Sequence, residues 1–84
     1  MLNLSHNYLT SITDEIFKLV NLKILYIDKN NFACFPKNVC KLKKLEILYV
    51  QNKNKNLEIP FEIRNLQKLK DSDFDKKNCK SLVI

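Results

Sequence analysis

The feature that most narrows what this chain can become is a spacing. Set residues 2–12, LNLSHNYLTSI, above residues 25–35, LYIDKNNFACF. Leu2 then falls on Leu25, Leu4 on Ile27, Asn7 on Asn30, Leu9 on Phe32 and Ile12 on Phe35, each 23 residues apart. The match runs on through Ile16 and Val39, Leu19 and Leu42, and Leu22 and Leu45, then carries Leu25 to Leu48 and Ile27 to Val50. One residue is inserted within QNKNKN, and beyond it the interval is 24: Pro36 to Pro60, Val39 to Ile63, Leu42 to Leu66, Leu45 to Leu69, Val50 to Phe74. Self-similarity at such a period marks an array in which one supersecondary unit recurs.

Each unit has two halves with different periods. Apolar residues alternate in Leu25-Tyr26-Ile27 and Leu48-Tyr49-Val50, the period of a short strand with one face buried. A polar, Asn-bearing turn follows, where an asparagine amide can bond the backbone that the turn exposes. Apolar residues then recur at threes, as in Pro36, Val39, Leu42 and Leu45, with Pro36 pre-setting the backbone at a helix start. That half is a short helix or 3-10 turn. A single unit cannot bury its own apolar edge, whereas stacked units form a parallel sheet on one side and helical turns on the other.

The motif LxxLxLxxNxLxxLPxxIxxLxx, read here as LKILYIDKNNFACFPKNVCKLKK at 22–44, resembles the leucine-rich repeat family in its intracellular 23-residue type. The resemblance implies an α/β, right-handed leucine-rich-repeat solenoid, with a short parallel sheet on the concave face and short helix or 3-10 turns on the convex face. It covers essentially the whole chain as about three and a half repeats, near 1–21, 22–44, 45–68 and 69–84. It also implies a protein-interaction module, because in this family the concave sheet is usually the partner surface. Some members with such repeats resemble adenylate cyclases, deadenylases or kinases, so the alternatives are a targeting or regulatory segment of a larger signalling or RNA-processing enzyme, or a truncated fragment without independent function.

Departures from the pattern carry their own expectations. Thr13 stands where the proline belongs in the first unit, and Thr13 or Ser11 is a candidate helix cap. Lys53 stands at the asparagine position of the third unit, flanked by Asn52 and Asn54, and the insertion predicts a looser turn there. Ser72 occupies a leucine slot, so the core should weaken towards the C-terminus. Both ends, Met1-Leu2 and Ser81-Leu82-Val83-Ile84, lack the polar caps that close repeat arrays. The expectation is a single segment, 1–84, lacking both caps and able to self-associate through its ends.

Composition excludes several chemistries. The chain has no glycine, which removes glycine-based phosphate loops and dinucleotide fingerprints, and predicts that its eleven asparagines supply the left-handed turn positions. Cys34, Cys40 and Cys79 form no CxxC pair, and the spacing of six between the first two suits no common zinc motif. With no secretory leader after Met1 and an odd thiol count, the chain reads as cytoplasmic; no apolar run reaches the length of a membrane span. The single histidine, His6, reads as a solvated loop residue, and no nucleophile–base set is visible, so no catalysis and no cofactor are expected. Asp71, Asp73 and Asp75 alternate and should share one face; they are read as an exposed acidic strand edge rather than a cation site.

The open face of the sheet is the better candidate site. Residues between and just beyond the buried strand leucines point away from the core. These are Ile24, Tyr26, Asp28 and Lys29 in the second unit, Ile47, Tyr49, Gln51 and Asn52 in the third, and Asp71, Asp73 and Asp75 in the fourth. Parallel strands lie about 4.8 Å apart, so Tyr26 should stack beside Tyr49 and Ile24 beside Ile47, forming an anchor patch with Asp28, Gln51 and the three aspartates as a polar rim. The formal charge of +6 raises nucleic acid as a partner. Yet Lys37, Lys41, Lys43, Lys44, Arg64 and Lys68 map to the helical side, away from the tyrosines, whereas nucleic-acid readers interleave basic and aromatic residues on one surface. The expected partner is another protein carrying a basic patch.

Overall fold

The computed structural model describes residues 1–53 and 58–74. Asn54, Asp75, Cys79 and the apolar tail at 82–84, all singled out above, lie outside the described residues, as does most of the expected loose turn. Four strands, β1 (Leu2–Asn3), β2 (Ile24–Tyr26), β3 (Ile47–Tyr49) and β4 (Asp71–Ser72), alternate with 3-10 segments at Asp14–Lys18, Lys37–Lys41 and Phe61–Asn65. The strands form one parallel sheet in chain order. Its register is the sequence interval made physical. Leu2 pairs with Leu25, Leu25 with Leu48 and Leu48 with Ser72, while Ile24 pairs with Ile47 and Tyr26 with Tyr49.

The helical halves are 3-10 because their apolar residues come at threes. With three residues per turn, positions i and i+3 eclipse on one side, so Val39, Leu42 and Leu45 all face the core, and each is fully buried. The matching bonds recur: Leu42 N–H to Val39 O at 3.0 Å, Leu66 N–H to Ile63 O and Leu45 N–H to Leu42 O at 3.1 Å. Pro36 and Pro60, at φ −73° and −72°, begin two of the segments and lend their carbonyls to Val39 and Ile63. Thr13 replaces proline in the first, and its Oγ1 accepts the Glu15 N–H at 3.2 Å, as a capping side chain should.

The core lies between sheet and 3-10 segments, built from Leu25, Ile27, Val39, Leu42, Leu45, Leu48, Val50, Ile63 and Leu66 around Phe32 and Phe35. The first unit departs from its pattern. Leu19 is 48% exposed, although Leu42 and Leu66 at the equivalent positions are fully buried, and Ile16 is only partly covered. Among the described residues no other unit stacks on the outer side of the first, so its apolar positions have a neighbour on one side alone.

The turns depart from expectation in two ways. Left-handed backbone falls at His6 (φ 61°), Tyr8 (φ 57°) and Lys29 (φ 56°), and at no asparagine among the described residues. His6 and Lys29 are 23 apart, so the first two units adopt this conformation at the same point with different residues, at a cost of about 1–2 kcal/mol for a side chain with a Cβ, whereas Asn52 at that point of the third unit does not. Each is held by its own N–H, His6 to Asp28 O at 3.2 Å and Lys29 to Gln51 O at 2.6 Å. The asparagines instead use their side chains. Asn30, fully buried, accepts the Asn7 and Leu9 N–H groups on Oδ1 (2.9 and 3.0 Å) and donates Nδ2 to Leu4 O (2.8 Å) and Ile27 O (3.0 Å). In the third unit Asn52 takes that role. It accepts the Phe32 N–H at 2.9 Å and donates to Phe32 O at 2.6 Å. Asn52 is therefore buried (4% exposed) rather than on the open face, and Lys53 stays exposed.

Candidate binding surface on the sheet

Strand alternation carries Ile24, Tyr26, Ile47 and Tyr49 to the face opposite the core, where all four are half-buried. The tyrosines are neighbours, as the interval requires, but they meet edge to face rather than stacked, with ring centroids 5.1 Å apart and planes at 69°. That geometry places the positive rim of one ring against the negative face of the other.

The acidic residues are less alike than their alternation predicts. Asp71 is exposed at the end of the patch and accepts the Tyr49 hydroxyl at 2.8 Å on Oδ2. This bond, with the nearby carboxylate charge, raises the phenol's pKa above the ordinary tyrosine value. Asp73 does not share Asp71's setting, because β4 ends at Ser72 while the backbone just after β3 offers two donors, at Val50 and Gln51. The Asp73 carboxylate turns back and takes the Val50 N–H on Oδ1 (2.8 Å) and the Gln51 N–H on Oδ2 (2.9 Å). Gln51 returns a bond from Nε2 to Asp73 O at 3.0 Å. Burial pushes the Asp73 pKa up, the charge of Asp28 adds to that, and the two backbone donors only partly oppose it. Asp28, half-buried, accepts the Ser5 hydroxyl on Oδ1. Asp75 lies outside the described residues.

Asp28, Tyr49, Gln51 and Asp73 line a groove of about 920 Å³, together with Lys29, Asn52 and Lys53. The Lys53 ammonium sits 3.5 Å from the centre of the Tyr8 ring, drawn towards the first unit. Neither lysine forms an ion pair with Asp28 or Asp73 among the described residues.

Sequence reasoning missed three features. The Asp73 clamp was hidden because alternation places the residue outward; the signal was the break in pattern at Ser72. The Ser5–Asp28 bond joins residues 23 apart, and so was available from the interval. Glu46 and Lys70, 24 apart, form an ion pair at 3.1 Å beside the sheet, and the Lys70 hydrogen bond and charge hold the Glu46 carboxyl below its usual pKa. His6 and Cys34 are exposed and Cys40 is buried. No group of His, Cys, Asp and Glu among the described residues is arranged to hold a metal ion, and no described helix is long and apolar enough to cross a membrane.

Compared with known proteins, residues 1–55 match the family profile described as Leucine rich repeat. No curated protein matches the chain. The profile covers the first two units and the β3 strand of the third, where the interval, the parallel register and the asparagine bridges have been traced, and the chain belongs to the leucine-rich repeat family.

Proposed function

We propose that this chain is a protein-interaction module of the 23-residue intracellular type, acting in the cytoplasm, that binds its partner through the open sheet face. In this reading it is a right-handed solenoid of about three and a half repeats, with that face concave. Ile24, Tyr26, Ile47 and Tyr49 are the anchors, and Asp28, Gln51, Asp71, Asp73 and Asp75 select a partner with a basic patch. The observation that carries the reading is the Tyr26–Tyr49 pair, half-buried on the face that no element of the described chain covers and flanked by carboxylates. Leucine-rich repeats generally mediate protein–protein contacts, and aromatic residues on an uncovered apolar patch are where interface energy concentrates.

The test is a selection of displayed peptides against the whole chain, followed by titration of the selected peptides with the Tyr26→Ala/Tyr49→Ala variant. Loss of two hot-spot rings weakens binding by about thirtyfold or more, with the circular dichroism spectrum unchanged. Binding that is indifferent to both substitutions moves the surface elsewhere, and a variant that unfolds assigns the tyrosines to holding the sheet.

A further inference from the structure

The groove beside Tyr49 has an electrostatic imbalance that the fold itself does not resolve. Asp73 is held in place by two backbone N–H groups, and Asp28 lines the same groove. The two charges repel one another, and burial adds to the penalty on Asp73. Asp28 Oδ1 is used by Ser5, while Oδ2 takes no hydrogen bond among the described residues. The lysines lining the groove do not neutralise the pair, and Lys53 is engaged with Tyr8. A divalent cation lacks the third protein ligand it would want, since no metal-type cluster forms here among the described residues.

We infer that this groove receives an arginine side chain from an extended segment of the partner, its guanidinium hydrogen-bonded to Asp28 and Asp73 and its flat face against the Tyr49 ring. The inference rests on the sheet face being the binding surface, and adds which side chain of the partner is read there. Charge complementarity selects a cation. Its shape follows from the site: a guanidinium is planar, offers several N–H donors in a fixed fork and stacks on aromatic rings, whereas an ammonium is a compact, strongly hydrated point charge.

The probe is the acetylated, amidated peptide Ala-Ala-Arg-Ala-Ala, titrated into the isotope-labelled whole chain and followed by NMR. Its lysine and citrulline counterparts are titrated alongside, citrulline being the uncharged near-isostere. The expected result is saturable shifts of the Val50 and Gln51 amides and the Tyr49 ring, with binding about tenfold weaker for the citrulline peptide and for the Asp28→Asn variant. Asp73→Asn should show the same loss; if that change disturbs the unbound spectrum, Asp28→Asn carries the test. Equal binding of the citrulline or lysine peptide overturns the assignment, as do shifts scattered over Glu15 and other distant carboxylates. If the arginine peptide fails while peptides dependent on Tyr26 and Tyr49 still bind, this inference falls and the binding surface stands. If neither kind binds, both fall.

Discussion

The first and second units are written almost alike and end up in different environments. Leu2 and Leu25 occupy the same slot and face each other across the β1–β2 ladder, yet Leu25 is fully buried and Leu2 only partly so. Asn7 and Asn30 also share a slot; Asn7 is exposed, while Asn30 is sealed in a set of bonds that includes the Asn7 N–H. The difference lies in neighbours. Among the described residues the second unit has a unit on each side and the first has one, so burial here is a property of position in the stack rather than of the motif.

Pairs of equivalent substitutions turn that contrast into measurements. The largest gap should separate Leu25→Ala from Leu2→Ala in urea unfolding. Removing a fully buried leucine costs about 2–5 kcal/mol through lost transfer energy and the cavity left behind. The partly covered Leu2 should cost about 1 kcal/mol. In a domain this small, whose stability is marginal, the first change empties most of the folded state. Equal losses would mean that β1 is protected as fully as β2, and the contrast would collapse.

A smaller gap should separate Asn30→Ala from Asn7→Ala. The first strands the Asn7 and Leu9 N–H groups and the Leu4 carbonyl, costing about 2–3 kcal/mol, while the second stays within about 0.5 kcal/mol. Hydrogen exchange sharpens it: the Asn7 and Leu9 amides should exchange faster in Asn30→Ala, and their continued protection would refute the bridge.

The smallest effects sit at the two ends of the pH scale. The Tyr49 phenol, raised by Asp71, lends stability that is complete below the ordinary tyrosine pKa and is lost as pH rises through its raised value. Glu46, lowered by Lys70, lends stability present above the ordinary carboxylate pKa and lost as pH falls through its lowered value. The phenol and the carboxyl both reach solvent, which screens them. Asp71→Asn should therefore flatten only the alkaline arm of a melting-temperature profile and Glu46→Gln only the acid arm. A change in the opposite arm from either would assign the shift to some other contact.

The interval of 23 and then 24 residues was legible in the residues and became the strand register without alteration, because a period-two strand cannot slip without turning its leucines outward. Tyr26 beside Tyr49 followed from the same arithmetic. The left-handed positions did not, because closing the turn sets φ at His6 and Lys29 more strongly than residue preference does. Which amide bridges the third turn was hidden because Asn52, Lys53 and Asn54 are consecutive, and only backbone geometry chooses among them. At the site, alternation located Asp71 but not the turned-back Asp73, which answers to the backbone donors just after β3 rather than to its own strand.

The asparagine bridges all point one way. Asn30 fastens backbone at Leu4, Asn7 and Leu9, and Asn52 fastens backbone at Phe32, so each of these first two turns is closed by a side chain that comes 20 to 26 residues later. On a ribosome, where the N-terminus emerges first, both of these turns leave the tunnel before their fastening amides and must wait for the next unit to appear. Losing residues from the front would leave the remaining turns fastened, whereas losing them from the back would open the turn before the cut. The order of synthesis is thereby written into the fold as a direction.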